Sequence, residues 1–288
     1  NIDSRQPQTI REGNERVIRP RLADAKFFWD KDGRKSLADH ADDLDQVVFQ
    51  KDLGSMAEKS TRVAALAAEI AAAIGGDTAL ARRAGELSRC DLMTHMVFEF
   101  PEMQGVMGRY QALRDGEPEE LAVAMDEFYM PRYSGDALPQ SQTGIAISLA
   151  EKLDTLVGIF GIGLKPTGDK DPFALRRAAL GALRILREHA LPLDLMALLR
   201  SAQTQLDDRL KTEDTAEAVY RFMLERLKGL YSDAGTALDT FDAVAAVSPT
   251  SIADFEHRIR AVSDFRALPE ADALAAAHEQ GIVHRDLK

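Results

Sequence analysis

Apolar residues along this chain recur every three to four positions rather than every second one, the period of helices. In "SMAEKSTRVAALAAEIAAAIGG", Met56, Val63, Leu66, Ile70 and Ile74 fall along one helical face. Ser55 and Glu58 stand at its start with capping-box spacing, and Gly75–Gly76 ends it. Asp77 is placed to cap the next helix, which runs on into "LSRCDLMTHMVFEFPEMQG", residues 87–105. Pro101 suits the first turn of another helix. In "GIAISLAEKLDTLVGIFGIG", Ile145, Leu149, Leu153, Leu156 and Ile159 predict a buried helix, interrupted only by Glu151, Lys152 and Asp154. "GDKDPFALRRAALGALRILREHA" offers Asp171 as a cap, Pro172 at the first helical position, and a stripe of Leu175, Leu180, Leu183 and Leu186. Further helices are expected at about 193–207, 213–232, 237–246 and 250–265. Convincing strand alternation is missing, so the expectation is an all-α protein with little or no sheet.

"GLKPTGDKD", residues 163–171, interrupts two strong helices with Gly, Pro and charge and is read as an interdomain linker. No internal repeat or low-complexity tract is visible. The 288 residues suffice for one large domain or two ordinary ones, and 45% hydrophobic residues supply a core, which excludes disorder on composition. Beginning at Asn1 rather than Met, the chain reads as a piece of a longer one. No apolar run approaches the roughly 20 residues of a membrane span, and the N-terminus has no signal-peptide core. A single cysteine forbids an internal disulfide and fits a reducing cytosol.

Net charge is −11, which argues against general nucleic-acid affinity. The charges are uneven, however. Residues 11–35 carry Arg11, Arg16, Arg19, Arg21, Lys26, Lys31, Arg34 and Lys35, and a second basic cluster comprises Lys170, Arg176, Arg177, Arg184 and Arg187. Acids gather in "DHADDLD" and "DGEPEE".

The stretch 87–105 mixes Cys90, Asp91, His95 and Glu99 into an apolar run. On a helix His95 and Glu99 would share a face, whereas Cys90 and Asp91 would diverge by about 100°. A transition-metal site there would need ligands from other helices. The plain alternative is a core of Leu87, Met93, Met96 and Val97 with His95 as a polar neighbour.

The helix order resembles an HD-type domain, in which a metal is held by a His, an adjacent His-Asp pair and a late Asp. The resemblance sets "ELSRCDLM" at the His-Asp pair, "ISLAEKLDTL" at the last Asp, and the first His at or near Lys59. It therefore implies Cys90 for His, Glu151 for Asp, and Lys59 for a ligand, with only Asp91 retained. A protonated lysine cannot coordinate a cation. The expectation is a degenerate HD-like scaffold without metal, in which Lys59 neutralises Asp91 and Glu151, because unbalanced buried carboxylates are costly.

Longer stretches carry a more specific resemblance. "EGNERVIRPRLADAKFFWDKD", "LSRCDLMTHMVFEFPEMQGVMGRYQALRDGE", "LVGIFGIGLKPTGDKDPFALRRAALGALRIL", "FMLERLKGLY" and "DFEHRIRAVSDFRALPEADALAAA" resemble the beta subunit of the bacterial two-alpha, two-beta glycyl-tRNA synthetase, over residues 1–277 or so. Gln111 in "GRYQA" stands where that family usually has a second tyrosine. The resemblance implies a cytoplasmic ligase that attaches glycine to its tRNA, with ATP and Mg2+ used by the alpha subunit and no cofactor or aminoacylation site in this segment. It implies glycine tRNA and the alpha subunit as partners, with no membrane and no DNA. No glycine-rich phosphate loop is present, in keeping with that expectation. For tRNA phosphates the candidates are Arg16, Arg19 and Arg21 around a proline, and Arg176 and Arg177; the ordinary alternative for each is a solvated or salt-bridged arginine. Phe27, Phe28, Trp29 and Tyr110 are candidate stacking aromatics that more often serve as core. The competing function is a metal-dependent HD-type phosphohydrolase, and a third reading is a helical interaction module.

Residues 278–288, "HEQGIVHRDLK", resemble instead a protein-kinase catalytic loop through His284, Arg285, Asp286 and Lys288. The remaining kinase elements are missing, so no kinase activity is expected. The resulting organisation is a basic N-terminal segment (1–35), a degenerate HD-like helical domain (36–162), a linker (163–171), a C-terminal helical domain (172–277) and an unrelated tail (278–288).

Overall fold

A computed structural model describes residues 6–268 and residue 271; the kinase-like tail lies outside the described residues. The expected all-α class holds: twelve α-helices and one two-stranded antiparallel ribbon make up the regular structure of the described residues, apart from single 3-10 turns. The chain divides into two compact units, Asn1–Asp154 and Thr155–Lys288, and the division falls within the long helix α7 (Gln142–Gly161).

In the first unit, α1 (Pro7–Asp32) is exposed over residues 6–24 and packs only at its end. There Ala25, Phe28 and Trp29 lie against Met96, Val97 and Met107. The ribbon pairs β1 (Val48–Gln50) with β2 (Gly54–Ser55), turning at Gly54 with φ of 90°. Ser55 then closes the capping box of α2 (Met56–Ala73): its hydroxyl accepts from the Glu58 amide, and the Glu58 carboxylate accepts from the Ser55 amide. Asp77 caps α3 (Thr78–Leu87) through the amides of Ala79 and Leu80, as its spacing predicts. α2 and α3 approach closely because Gly85 faces Ala64; a Cβ at 85 would lie 2.5 Å from the Ala64 Cα. Helices α5 (Val106–Arg114) and α6 (Glu119–Glu127) pack on each other, and α6 also packs on α3. Gln111 is buried and donates its amide to the Asp32 and Lys35 carbonyls, so it ties the end of α1 to α5.

The stretch 87–105 corrects the expectation of one continuing helix. α3 stops at Leu87, Cys90–Met93 form a 3-10 turn, α4 is only His95–Glu99, and Pro101 opens a 3-10 turn. Side chains that compete for backbone groups explain the break. The Ser88 hydroxyl donates to the Gly85 carbonyl, Thr94 donates to the Asp91 carbonyl and caps Val97, and Asp32 takes the amides of His95 and Met96.

In the second unit, α8 (Leu175–Glu188) starts later than Pro172, which corrects the expected first position. Asp171 still caps it, from four residues back, accepting the amides of Leu175 and Arg176. α9 (Leu195–Thr204), α10 (Thr215–Asp233), α11 (Leu238–Ala246) and α12 (Ile252–Arg266) follow near their expected places. α10 packs on α8, α9 and α11, around a core that includes Tyr231, Phe241 and Phe255 with ring centroids 5.1–5.8 Å apart. No described helix is long and apolar enough to cross a membrane.

Candidate functional site

The chemistry-bearing residues of the first unit meet where α2 faces α7. Lys59 and Arg62 lie one turn apart on α2, Glu151 and Asp154 one turn apart on α7, so each pair shares a helix face. The Lys59 Nζ is 2.7 Å from Asp154 Oδ2 and 3.4 Å from Glu151 Oε1. Arg62 Nε donates to Asp154 Oδ1 at 2.7 Å, and Arg89, just beyond α3, pairs with Glu151. Lys59 and Asp154 are 1% and 2% exposed, so this ionic cluster is interior, with Glu151 at its wetter edge. Aromatic faces line it: the Lys59 ammonium sits 4.3 Å from the Phe49 ring centroid and the Arg89 guanidinium 4.8 Å from that of Phe128.

Electrostatics follow from this geometry. Burial would raise the Asp154 carboxyl, but Lys59 and Arg62 overrule it and hold it below its ordinary value. Burial likewise works against the Glu151 carboxylate, and Arg89 and then Lys59 outweigh it. Asp91 is different. Its Oδ2 accepts the Gly105 amide at 2.7 Å, its Oδ1 is buried without a hydrogen bond, and burial pushes its carboxyl up to about 6 despite the amides of Gly105 and Gly108. Gly108 leaves the room this needs, since a Cβ there would sit 3.1 Å from Asp91 Oδ2. Burial, followed by Asp91, pushes the Cys90 thiol up to about 12, so it stays a thiol at neutral pH.

Lys59 therefore balances Glu151 as expected but not Asp91; its second carboxylate is Asp154, and Asp91 is held by backbone amides instead. Arg62, Arg89 and Asp154 escaped the sequence reading. For Arg62 and Asp154 the signal was the matched spacing of two cations and two acids inside the apolar faces of α2 and α7; Arg89, beyond α3, had no such signal. An HD-type metal does not fit these residues: Glu151, at the position of the last Asp, is taken by Lys59 and Arg89, and Lys59 brings an ammonium to the place of a ligand. Among the described residues no group of three or more His, Cys, Asp and Glu is arranged to hold a metal ion.

The arginine candidates divide between the units. Arg16 is exposed on α1, Arg19 pairs with Glu15 at 3.2 Å while remaining 79% exposed, and Arg21 lies over the Phe100 ring at 5.5 Å. Arg176 is half-buried and donates to the Gly168 carbonyl, whereas Arg177 is exposed. Of the aromatic candidates, Phe28 and Trp29 are packed against the Met96 cluster, and Phe27 and Tyr110 are exposed.

Comparison with known proteins gives a consistent result. A family model described as glycyl-tRNA synthetase beta subunit matches residues 1–246. The chain is 55% identical over 280 residues to a protein named glycine–tRNA ligase beta subunit from Edwardsiella ictaluri, covering 97% of this chain and 41% of the relative. Proteins of the same name from Ectopseudomonas mendocina and Cronobacter sakazakii are each 53% identical over the same shares. The chain thus spans about two fifths of the length of these curated relatives.

Proposed function

Because the chain belongs to the glycyl-tRNA synthetase beta subunit family, we propose that it serves an ATP-dependent glycine–tRNA ligase as a noncatalytic segment that contacts tRNA and supports subunit assembly. Glycine activation, with ATP and Mg2+, belongs to a separate alpha subunit in a two-alpha, two-beta assembly located in the cytoplasm. The observation that carries the noncatalytic reading is the ionic cluster of Lys59, Arg62 and Arg89 with Glu151 and Asp154. Protein cations there fill the role a metal would have, and the HD-like frame is kept as a rigid support. Cluster chemistry also speaks against the phosphohydrolase alternative, which needs those carboxylates free to bind a metal.

Contact with tRNA falls to exposed arginines on the two units, Arg16 and Arg19 on α1 and Arg177 on α8. Arg21 and Arg176 support them through their contacts with Phe100 and Gly168. Phosphate contacts make affinity fall steeply with salt. The test is a binding titration with glycine tRNA and a second tRNA at two salt concentrations, with and without the alpha subunit. Expected are tighter binding of glycine tRNA in the presence of the alpha subunit and a steep salt dependence. Flat salt dependence, unchanged affinity after Arg16→Ala with Arg19→Ala, or phosphoester turnover dependent on an added divalent ion would overturn the reading.

A further inference from the structure

The segment between α7 and α8 is short, basic and tied down from within. Thr167 and Lys170 exchange both backbone hydrogen bonds, at 3.1 and 2.9 Å, around Gly168 with φ of 51°. The Arg176 guanidinium donates to the Gly168 carbonyl. Asp171 accepts the Leu175 and Arg176 amides at 2.8 and 2.9 Å, and its carbonyl accepts the Ala174 amide at 3.1 Å. One acid and one arginine, Asp171 and Arg176, thus do the work of fixing the loop.

Three further cations on and beside this loop have no such task. Lys165, Lys170 and Arg177 are exposed; among the described residues Lys165 has a distant ring neighbour, Phe160 at 5.8 Å, and Asp169 is an exposed acid beside Lys170. A loop of fixed shape that carries like charges gains nothing from them in isolation. It gains when a polyanion is laid across them, since the backbone that carries them is already ordered in the free protein and only the side chains remain to be fixed. The chain's net charge of −11 does not forbid this, because charges beyond about 8 Å are screened at physiological salt. The amides of the first turn of α8 are not the binding groups, for Asp171 already occupies them. Contact must come from side chains.

We propose that Lys165, Lys170 and Arg177 form a preformed contact for RNA backbone phosphates, with Arg176 as the residue that positions the loop. This rests on the reading above that the chain engages tRNA and adds to it two lysines and a division of labour between adjacent arginines. Phosphate contacts position RNA without reading its sequence.

The test compares the full chain with its Lys165→Ser/Lys170→Ser/Arg177→Ser variant, by fluorescence anisotropy with glycine tRNA and with a second tRNA between 50 and 200 mM salt. All three side chains are exposed, so the variant should melt at the wild-type temperature. Each lost contact should flatten the slope of log affinity against log salt by about 0.7–0.9, a change of roughly 2–3 units in all, and both tRNAs should weaken alike. A variant that keeps the wild-type slope while the wild type binds tRNA overturns this inference and leaves the proposed function standing. A loss confined to glycine tRNA also overturns it, because it would mean base reading. Should the wild-type chain bind neither tRNA, the inference falls together with the reading it rests on.

Discussion

Asp154→Asn is the sharpest probe of the interior ionic cluster. The substitution keeps the shape of the side chain and removes the charge that two buried cations share. Lys59 then retains Glu151 at 3.4 Å, while Arg62 retains the Leu53 carbonyl at 3.5 Å and no more than a neutral amide oxygen at position 154. Breaking a buried ion pair from one side costs about 3–5 kcal/mol, since the remaining charge stays buried. Lys59→Met should cost less, about 2–3 kcal/mol for lost charge-assisted hydrogen bonds, because Arg62 still holds Asp154 at 2.7 Å. The two losses should not add, with a coupling of roughly 0.5–3 kcal/mol between residues in contact. Urea unfolding followed by Trp29 fluorescence is the assay: Trp29 is the single tryptophan and lies in the first unit, so it reports that unit. At about 2–4 °C per kcal/mol, the Asp154→Asn transition should also melt some 6–20 °C lower. Acidification supplies the sign check. Asp154 is held below its ordinary value, so its contribution is present above about pH 4 and is lost as pH falls through its folded value. The gap between wild type and Asp154→Asn should therefore close in acid. A cost under about 1 kcal/mol at neutral pH, against the expected range, would refute the claim that these charges balance one another.

Lys152 gives a prediction of opposite sense: burial pushes its ammonium down to about 8, with the Nζ donating to the Met130 carbonyl and Ser148 hydroxyl at 2.7 Å each. The unfolded chain then binds more protons between about pH 8 and 10.4, so this group's contribution rises across that window and is lost as pH falls through 8; the urea unfolding free energy of wild type should gain on that of Lys152→Met by on the order of 2–3 kcal/mol, and parallel profiles would count against it. Gly85→Ala should cost about 2–3 kcal/mol by overpacking, because the new methyl meets Ala64 backbone at 2.5 and 2.9 Å rather than a movable side chain; an unchanged melting curve would show that α2 and α3 can part without penalty. Ser55→Ala should cost roughly 1 kcal/mol through loss of the cap on α2, read as a lower urea midpoint at unchanged m-value.

Helix-forming segments were legible in the sequence because their signals are local. The Ser55–Glu58 box and the Asp77 cap each act within four residues, and both sit where their spacing predicts. Across 87–105 the apolar period remained helical while the backbone turned, because Asp32, sixty-odd residues earlier, supplies acceptors for His95 and Met96. No local pattern contains that partner. The same limit explains the ionic cluster. Resemblance to an HD frame pointed to Lys59 and Glu151, but pairing is decided by which turns of α2 and α7 face each other, and that geometry brings Asp154 closest. Asp91 illustrates the converse: a carboxylate can be buried without a paired cation when glycines at 105 and 108 let backbone amides reach it, with Arg89 acting only from a distance. Its remaining oxygen stays without a hydrogen bond, and burial raises the carboxyl to about 6. Two solutions to the cost of burying acid thus stand side by side in one unit, cation pairing on α7 and amide coordination beyond α3. Only the first leaves a trace in sequence, as like-spaced opposite charges within apolar helix faces.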